Sequence, residues 1–245
     1  MVFRFRPGIA VAVMCARFSL SDIGRLMERY PGFRSKAAYP PRFNIAPTQD
    51  VLAARNDGGG EVVPLRWGLI PAWAEDASIG QRLINARAET LTQKAAFRDA
   101  VAARRCLIFA DGFFEWTGAK NRRQPYRVTV DGGAPFAFAG LYERWEGAEI
   151  PLDTCTIVTC EANPLLAALH DRMPVILRDD ALESWLHGDV AEALAVLAPF
   201  DAARMQSAPV THKMNHHTFE DPRAIEPLPD LPPEPTLFDG YPASR

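Results

Sequence analysis

YRVTVDGGAPFAFAGLY, residues 126–142, decides the fold class: two short runs of β-branched, aromatic and other apolar residues flank the turn signal Asp131-Gly132-Gly133. Such side chains suit a pleated surface, and Asp-Gly sequences tolerate the backbone angles of a tight turn. Working outward, similar runs recur at Val51 to Arg55, Val62 to Trp67, Arg105 to Ala110 and Thr154 to Thr159, with a second turn signal at Asn56-Asp57-Gly58-Gly59-Gly60. Helical patterns fit Thr90 to Ala103, Asn163 to Leu169, Asp180 to Leu186 and Val190 to Leu197. A further short helix through Ile23, Leu26 and Met27, capped by Ser19 or Ser21, ends near Tyr30-Pro31-Gly32. There is no regular βαβ alternation. The expected class is therefore α+β, with a mostly antiparallel β-sheet or barrel core flanked by short helices.

A chain of 245 residues with 48% apolar content can fill a sizeable core. Its formal net charge of -3 gives no bulk sign of a nucleic-acid binder. The distribution is more informative. From Glu220 onward six acidic residues accompany only Arg223 and Arg245, so of the 27 basic and 30 acidic residues the body keeps 25 and 24 and can carry a local basic groove. Cys15, Cys106, Cys155 and Cys160 form no C-x-x-C pair and have no histidine at zinc-ligand spacing, so no structural metal is expected. Cys106 and Cys155 lie in apolar runs and read as core residues. No run reaches the roughly 18 to 20 apolar residues of a membrane helix, and the apolar stretch before Cys15 is broken by Pro7 and Gly8, unlike a signal peptide. A cytoplasmic monomer is expected.

Four stretches place reactive polar groups in apolar, turn-rich surroundings: Met14 to Phe18 around Cys15, Ile84 to Thr90 around Asn85, Ala110 to Trp116 around Glu115, and Leu169 to Pro174 around His170. Each has a plain reading. Cys15 can be a small buried hydrophobe, Asn85 a turn residue, Glu115 an exposed strand residue and His170 a helix C-cap. In combination they are harder to explain as packing.

The blocks M-C-x-R-F (14–18), R-F-N-I-A-P (42–47), R-W-G-L-I-P-x-W (66–73), I-N-A-R-A-E-T (84–90), C-L-I-x-A-D-G-F-F-E-W (106–116), F-A-G-L-Y-E (138–143), E-A-N (161–163) and H-D-R-M-P-V-I-L (170–177) stand in one order. In that order the sequence resembles the SOS-response-associated peptidase (SRAP) family, from Met14 to about Asn215. The family commonly has glycine where Ala16 stands. The resemblance implies an abasic-site sensor that binds single-stranded DNA and forms a covalent crosslink through an N-terminal cysteine, here Cys15. It implies lyase-type Schiff-base chemistry, no cofactor, and an autopeptidase activity that frees the terminus. Asn85, Glu115 and His170 would be the catalytic partners. Arg17, Arg87 and Arg172 would hold phosphates, and Pro47, Trp67 and Trp73 would stack on neighbouring bases.

The implied chemistry needs a free amine on Cys15, whereas residues 1–14 precede it. The expected division is therefore a removed or non-functional extension at 1–14, a catalytic domain at 15–219, and a Pro-rich acidic tail at 220–245. In that tail Glu234 to Asp239 faintly resembles Leu-Phe peptides that dock on sliding clamps, and its plain reading is one packed apolar pair. Two other function classes fit the composition. One is a cysteine peptidase using Cys15, His170 and Asn85, and the other a non-covalent single-strand-binding module using arginine and tryptophan.

Overall fold

The computed structural model describes residues 16–36, 38–119 and 123–229. Cys15, the extension before it and the Leu237-Phe238 pair lie outside the described residues. In chain order the elements are β1 (Phe18–Leu20), α1 (Ile23–Arg29), β2 (Arg34–Ser35), β3 (Arg42–Ile45), β4 (Asp50–Arg55), β5 (Glu61–Trp67), β6 (Asn85–Arg87), α2 (Arg98–Ala103), β7 (Arg105–Ala110), β8 (Gly112–Thr117) and β9 (Gln124–Val130). They continue with β10 (Phe136–Trp145), β11 (Leu152–Glu161), β12 (Arg172–Pro174), β13 (Ile176–Leu177), α3 (Leu182–His187), α4 (Val190–Ala195) and β14 (Met205–Pro209).

The architecture is α+β, as the sequence implies. β11, β10, β7, β4 and β5 pair antiparallel in that order, and a parallel contact of β5 with β11 closes them into a barrel. The second sheet, β14-β9-β8-β1-β3, is antiparallel throughout. The runs on either side of Asp131-Gly132-Gly133 do not pair with each other: β9 joins the second sheet, while β10 joins the barrel. Asp131, Gly132 and Gly133 all have positive φ, at 47°, 70° and 85°, and swing the chain between the two sheets.

The core sits between the layers. Phe18 of β1 packs on Trp67 and Phe138 of the barrel at ring-centroid distances of 5.2 and 5.7 Å. Cys106 and Cys155 are fully buried within it, and burial pushes both thiols above the ordinary range. The short helices are fastened to the barrel through the buried guanidinium of Arg105, which donates to Val101 O (2.7 Å) in α2 and to Trp185 O (2.5 Å) and Leu186 O (3.3 Å) in α3. These are carbonyls that short helices leave open near their C-termini.

Several local expectations change. Asp22, not Ser19 or Ser21, caps α1, because both serines turn inward to Asp111. The expected helix from Thr90 narrows to α2, preceded by one 3-10 turn at Ala88–Thr90. Leu91 and Phe97 are both buried, and a continuous helix would point them in different directions. Asn163 to Leu169 holds a single 3-10 turn, Leu166–Ala168. The first residues of the Pro-rich segment pack on the second sheet: Glu220 accepts from the Phe43 and Asn44 amides and pairs with Arg42, so it covers β3 at the sheet edge, and Ala224 is fully buried.

Candidate functional site

The strand that follows Cys15 is placed first by register. β1 lies between β3 and β8, with Phe18 opposite Phe113 and Ser19 opposite Gly112. Phe114 N–H donates to Arg17 O at 3.0 Å, continuing the ladder towards the N-terminus. Glu115 is the next residue of β8 after Phe114, and Ala16 the residue before Arg17. Glu115 is only 3% exposed, so the plain reading of an exposed strand residue does not hold.

Four side chains fix that register. The Asp111 carboxylate accepts from Ser19 Oγ (2.6 Å), Ser21 Oγ (2.6 Å), the Ser21 amide (2.5 Å) and Arg127 Nη2 (3.1 Å). Gly112 is required beside it, because a Cβ there would lie 2.6 Å from Arg127 Nε. The sequence shows Asp111 within a block but gives no sign of its partners.

On the barrel, β6 runs parallel to β11, with Asn85 opposite Ile157 and Arg87 opposite Thr159. Trp67 holds the approach to β6: its Nε1 donates to Ile84 O at 2.9 Å. Trp67 is fully buried and cannot stack on a base, which corrects that expectation; a ring with both faces packed has no surface for a ligand. Trp73 is the opposite case, 59% exposed. Pro47 is half-buried in the turn after β3, which is closed by Thr48 N–H donating to Trp67 O at 2.8 Å. Thr48 has a φ of 73°, a conformation that non-glycine residues seldom adopt.

β10 and β11 diverge, and residues 172–177 fill the gap. β12 pairs with β11, Glu161 standing opposite Arg172, while β13 pairs with β10. Arg172 is a fork on a fork: Nη1 and Nη2 donate to the Glu89 carboxylate at 2.7 and 2.9 Å, and Nη2 also reaches Thr159 O at 2.8 Å. This pairing holds the Glu89 carboxyl below its usual range. The Arg172 amide donates to His170 Nδ1 at 3.0 Å, an arrangement that leaves the ring proton for Nε2, while Asp171 Oδ1 stands 2.8 Å from the same nitrogen.

The three arginines differ in availability. Arg87 is exposed and, among the described residues, forms no salt bridge. Arg17 Nη1 donates to Asn44 Oδ1 at 2.9 Å, its guanidinium lies 5.9 Å from the Trp116 ring, and burial lowers its pKa. Arg172 is committed to Glu89. Glu89, Thr159, Asn44 and Arg127 carry much of this geometry and were not singled out by sequence, since their partners lie 13 to 83 residues away.

Cys160, on β11 beside Met173, is buried, which pushes its thiol up to about 11. Among the described residues no three His, Cys, Asp or Glu side chains cluster as a metal site, and no helix is long and apolar enough to cross a membrane.

A family model described as SOS response associated peptidase (SRAP) matches residues 14–217. The chain is 41% identical over 222 residues to the abasic site processing protein YoqW of Bacillus subtilis, an alignment covering 87% of this chain and 99% of that one. It is 29% identical to the abasic site processing protein HMCES of Mus musculus, over 82% of this chain and 69% of that one. A solved structure from Bacteroides thetaiotaomicron superposes with a TM-score of 0.78 at 26% identity, covering 87% of this chain and all of the other. The likeness therefore spans the barrel, the second sheet and every reactive block from Met14 to His170, and on that extent the chain belongs to the SRAP family.

Proposed function

We propose that this chain captures abasic sites in single-stranded DNA as a covalent thiazolidine at Cys15. The observation that supports the reading is the pairing of β1 with β8, Phe18 opposite Phe113 and Ser19 opposite Gly112, which sets the strand after Cys15 beside the strand that carries the buried Glu115. Relatives named abasic site processing proteins, similar over most of the chain, support it.

With Cys15 as the first residue, an amine and a thiol stand on adjacent carbons. The α-amine has an ordinary pKa of about 7.7 to 8.0, so an appreciable neutral fraction exists near neutral pH. It adds to the aldehyde carbon of the ring-opened sugar, forming a C–N bond, and loss of one water gives the Schiff base. The thiol sulfur then bonds to the imine carbon while its proton passes to nitrogen. The ring closure is intramolecular, with a correspondingly high effective molarity. Glu115 shuttles protons in these steps, and His170 Nε2–H donates to the sugar oxygen as its ring opens. Asn85 orients the terminus or the sugar, Arg87 and Arg17 meet phosphates, and Trp73 and Pro47 flank the neighbouring bases.

The test is a denaturing gel. Protein beginning at Cys15 forms a heat- and SDS-stable band with an abasic single strand and much less with a paired duplex. Cys15→Ser leaves only a labile or slow linkage. No band with freshly prepared abasic oligonucleotide overturns the proposal, and an equally stable Cys15→Ser band overturns the thiazolidine. Intact-mass measurement of active protein from its native locus is expected to give a chain starting at Cys15; retention of residues 1–14 would exclude the amine-first route.

A further inference from the structure

Arg172, the basic partner of Glu89, lies two residues after the proposed acid His170, and the two ends of Arg172 do different things. Its guanidinium is gripped by both oxygens of Glu89 and by Thr159 O, and Thr159 Oγ1 in turn donates to Ala86 O at 3.3 Å, tying β11 to β6. Its main-chain N–H is the donor that keeps His170 Nδ1 bare. A second group competes for that nitrogen: Asp171 Oδ1 stands 2.8 Å from it and would accept a proton carried there. The two arrangements exclude each other. With the amide donating, the proton is on Nε2; with Asp171 accepting, Nδ1 carries it, and the neutral ring then has no hydrogen on Nε2 to give. Asp171 is 87% exposed and its pull is screened by water, so the position of the Arg172 amide decides the outcome.

We propose that Glu89 is a positioning residue for His170, acting through Arg172: by anchoring the guanidinium it fixes the backbone whose N–H selects the Nε2–H tautomer. The inference rests on the abasic-site reading for its consequence in rate, but its structural content is independent of that reading. The rival account makes Arg172 a phosphate ligand that Glu89 merely occupies until DNA arrives. The two accounts predict opposite effects for Glu89→Gln, which weakens the grip without altering Arg172 itself. Partners that orient a reacting side chain change activity by about 10- to 100-fold when removed, and a loss at the lower end is expected here.

The experiment uses the full chain carrying ¹⁵N-histidine, with His170→Gln identifying the His170 signals among those of the five histidines. Wild type shows a bare Nδ1 and a protonated Nε2 at His170. Glu89→Gln shifts His170 towards the opposite tautomer, keeps the melting temperature and the affinity for an intact single strand, and slows single-turnover crosslinking about tenfold. Arg172→Lys keeps the amide and the charge but loses the fork, and shows the same change in the His170 signals. Wild-type-like His170 signals in both variants overturn the proposal, whatever the rate. Faster crosslinking with tighter DNA binding in Glu89→Gln overturns it in favour of the competing-anion account. If wild type forms no adduct at all, the functional reading fails while the histidine spectra still judge the positioning.

Discussion

Ser19 Oγ donates to the Asp111 carboxylate across 2.6 Å, joining the strand that leads away from Cys15 to the turn that leads into Glu115. The bond is buried, and Arg127 supplies the countercharge at 3.1 Å. Buried carboxylates persist when they are paired and hydrogen-bonded, and Asp111 meets both conditions. The strand that follows Cys15 is thus held by a charged network in addition to apolar packing.

Asp111→Ala strands the Arg127 guanidinium and removes the acceptor for two serines. Loss of one partner of a buried pair typically destabilises by about 3 to 5 kcal/mol. The lower end is expected, because Arg127 retains its bond to the Asp111 backbone carbonyl at 3.2 Å. Urea unfolding measures it. A change near zero would show that the network contributes nothing to holding β1.

Trp67 and Trp73 should separate stability from binding. Trp67→Phe removes the bond to Ile84 O and is expected to lower stability by about 1 kcal/mol, with binding to single-stranded DNA unchanged in the folded protein. Trp73→Ala, at an exposed position, should leave unfolding nearly unchanged and weaken single-strand affinity by about 1 to 3 kcal/mol, the range for loss of a base-stacking aromatic. Fluorescence anisotropy with an unmodified oligonucleotide reads the affinities. Equal affinity for wild type and Trp73→Ala would remove Trp73 from the binding surface.

The pH dependence of stability has a specific contributor at the sheet-switching turn. Arg204 donates to both oxygens of Asp131 at 2.9 and 2.6 Å, and these hydrogen bonds lower the Asp131 pKa. A carboxylate depressed in the folded state stabilises it above the unfolded pKa, about 3.9 for Asp, and that contribution disappears as pH falls through the lower folded value. Arg204→Ala should therefore lower the melting temperature at pH 6 and narrow its gap to wild type below about pH 4. A gap that stays constant from pH 6 to pH 2.5 would exclude this linkage.

The β-runs, the α+β class and the reactive blocks were legible in the sequence because each is a local signal. Alternation and turn residues are written within a few positions, and the I-N-A-R-A-E-T or H-D-R-M-P-V-I-L blocks are contiguous. What the sequence by itself determined is thus which short segments extend, where the chain turns and which reactive groups it carries. Tertiary structure alone decided that the runs flanking Asp131 belong to different sheets, because a turn constrains local direction but not which strand edge the next run will join. It buried Trp67 while leaving Trp73 exposed, although both sit in one block, since burial depends on what packs above a residue. It also joined Glu89 to Arg172 and Ser19 to Asp111 across 83 and 92 positions. No local pattern encodes such pairs; they form only when closure of the barrel brings β6, β11 and β12 together and sets β1 against β8.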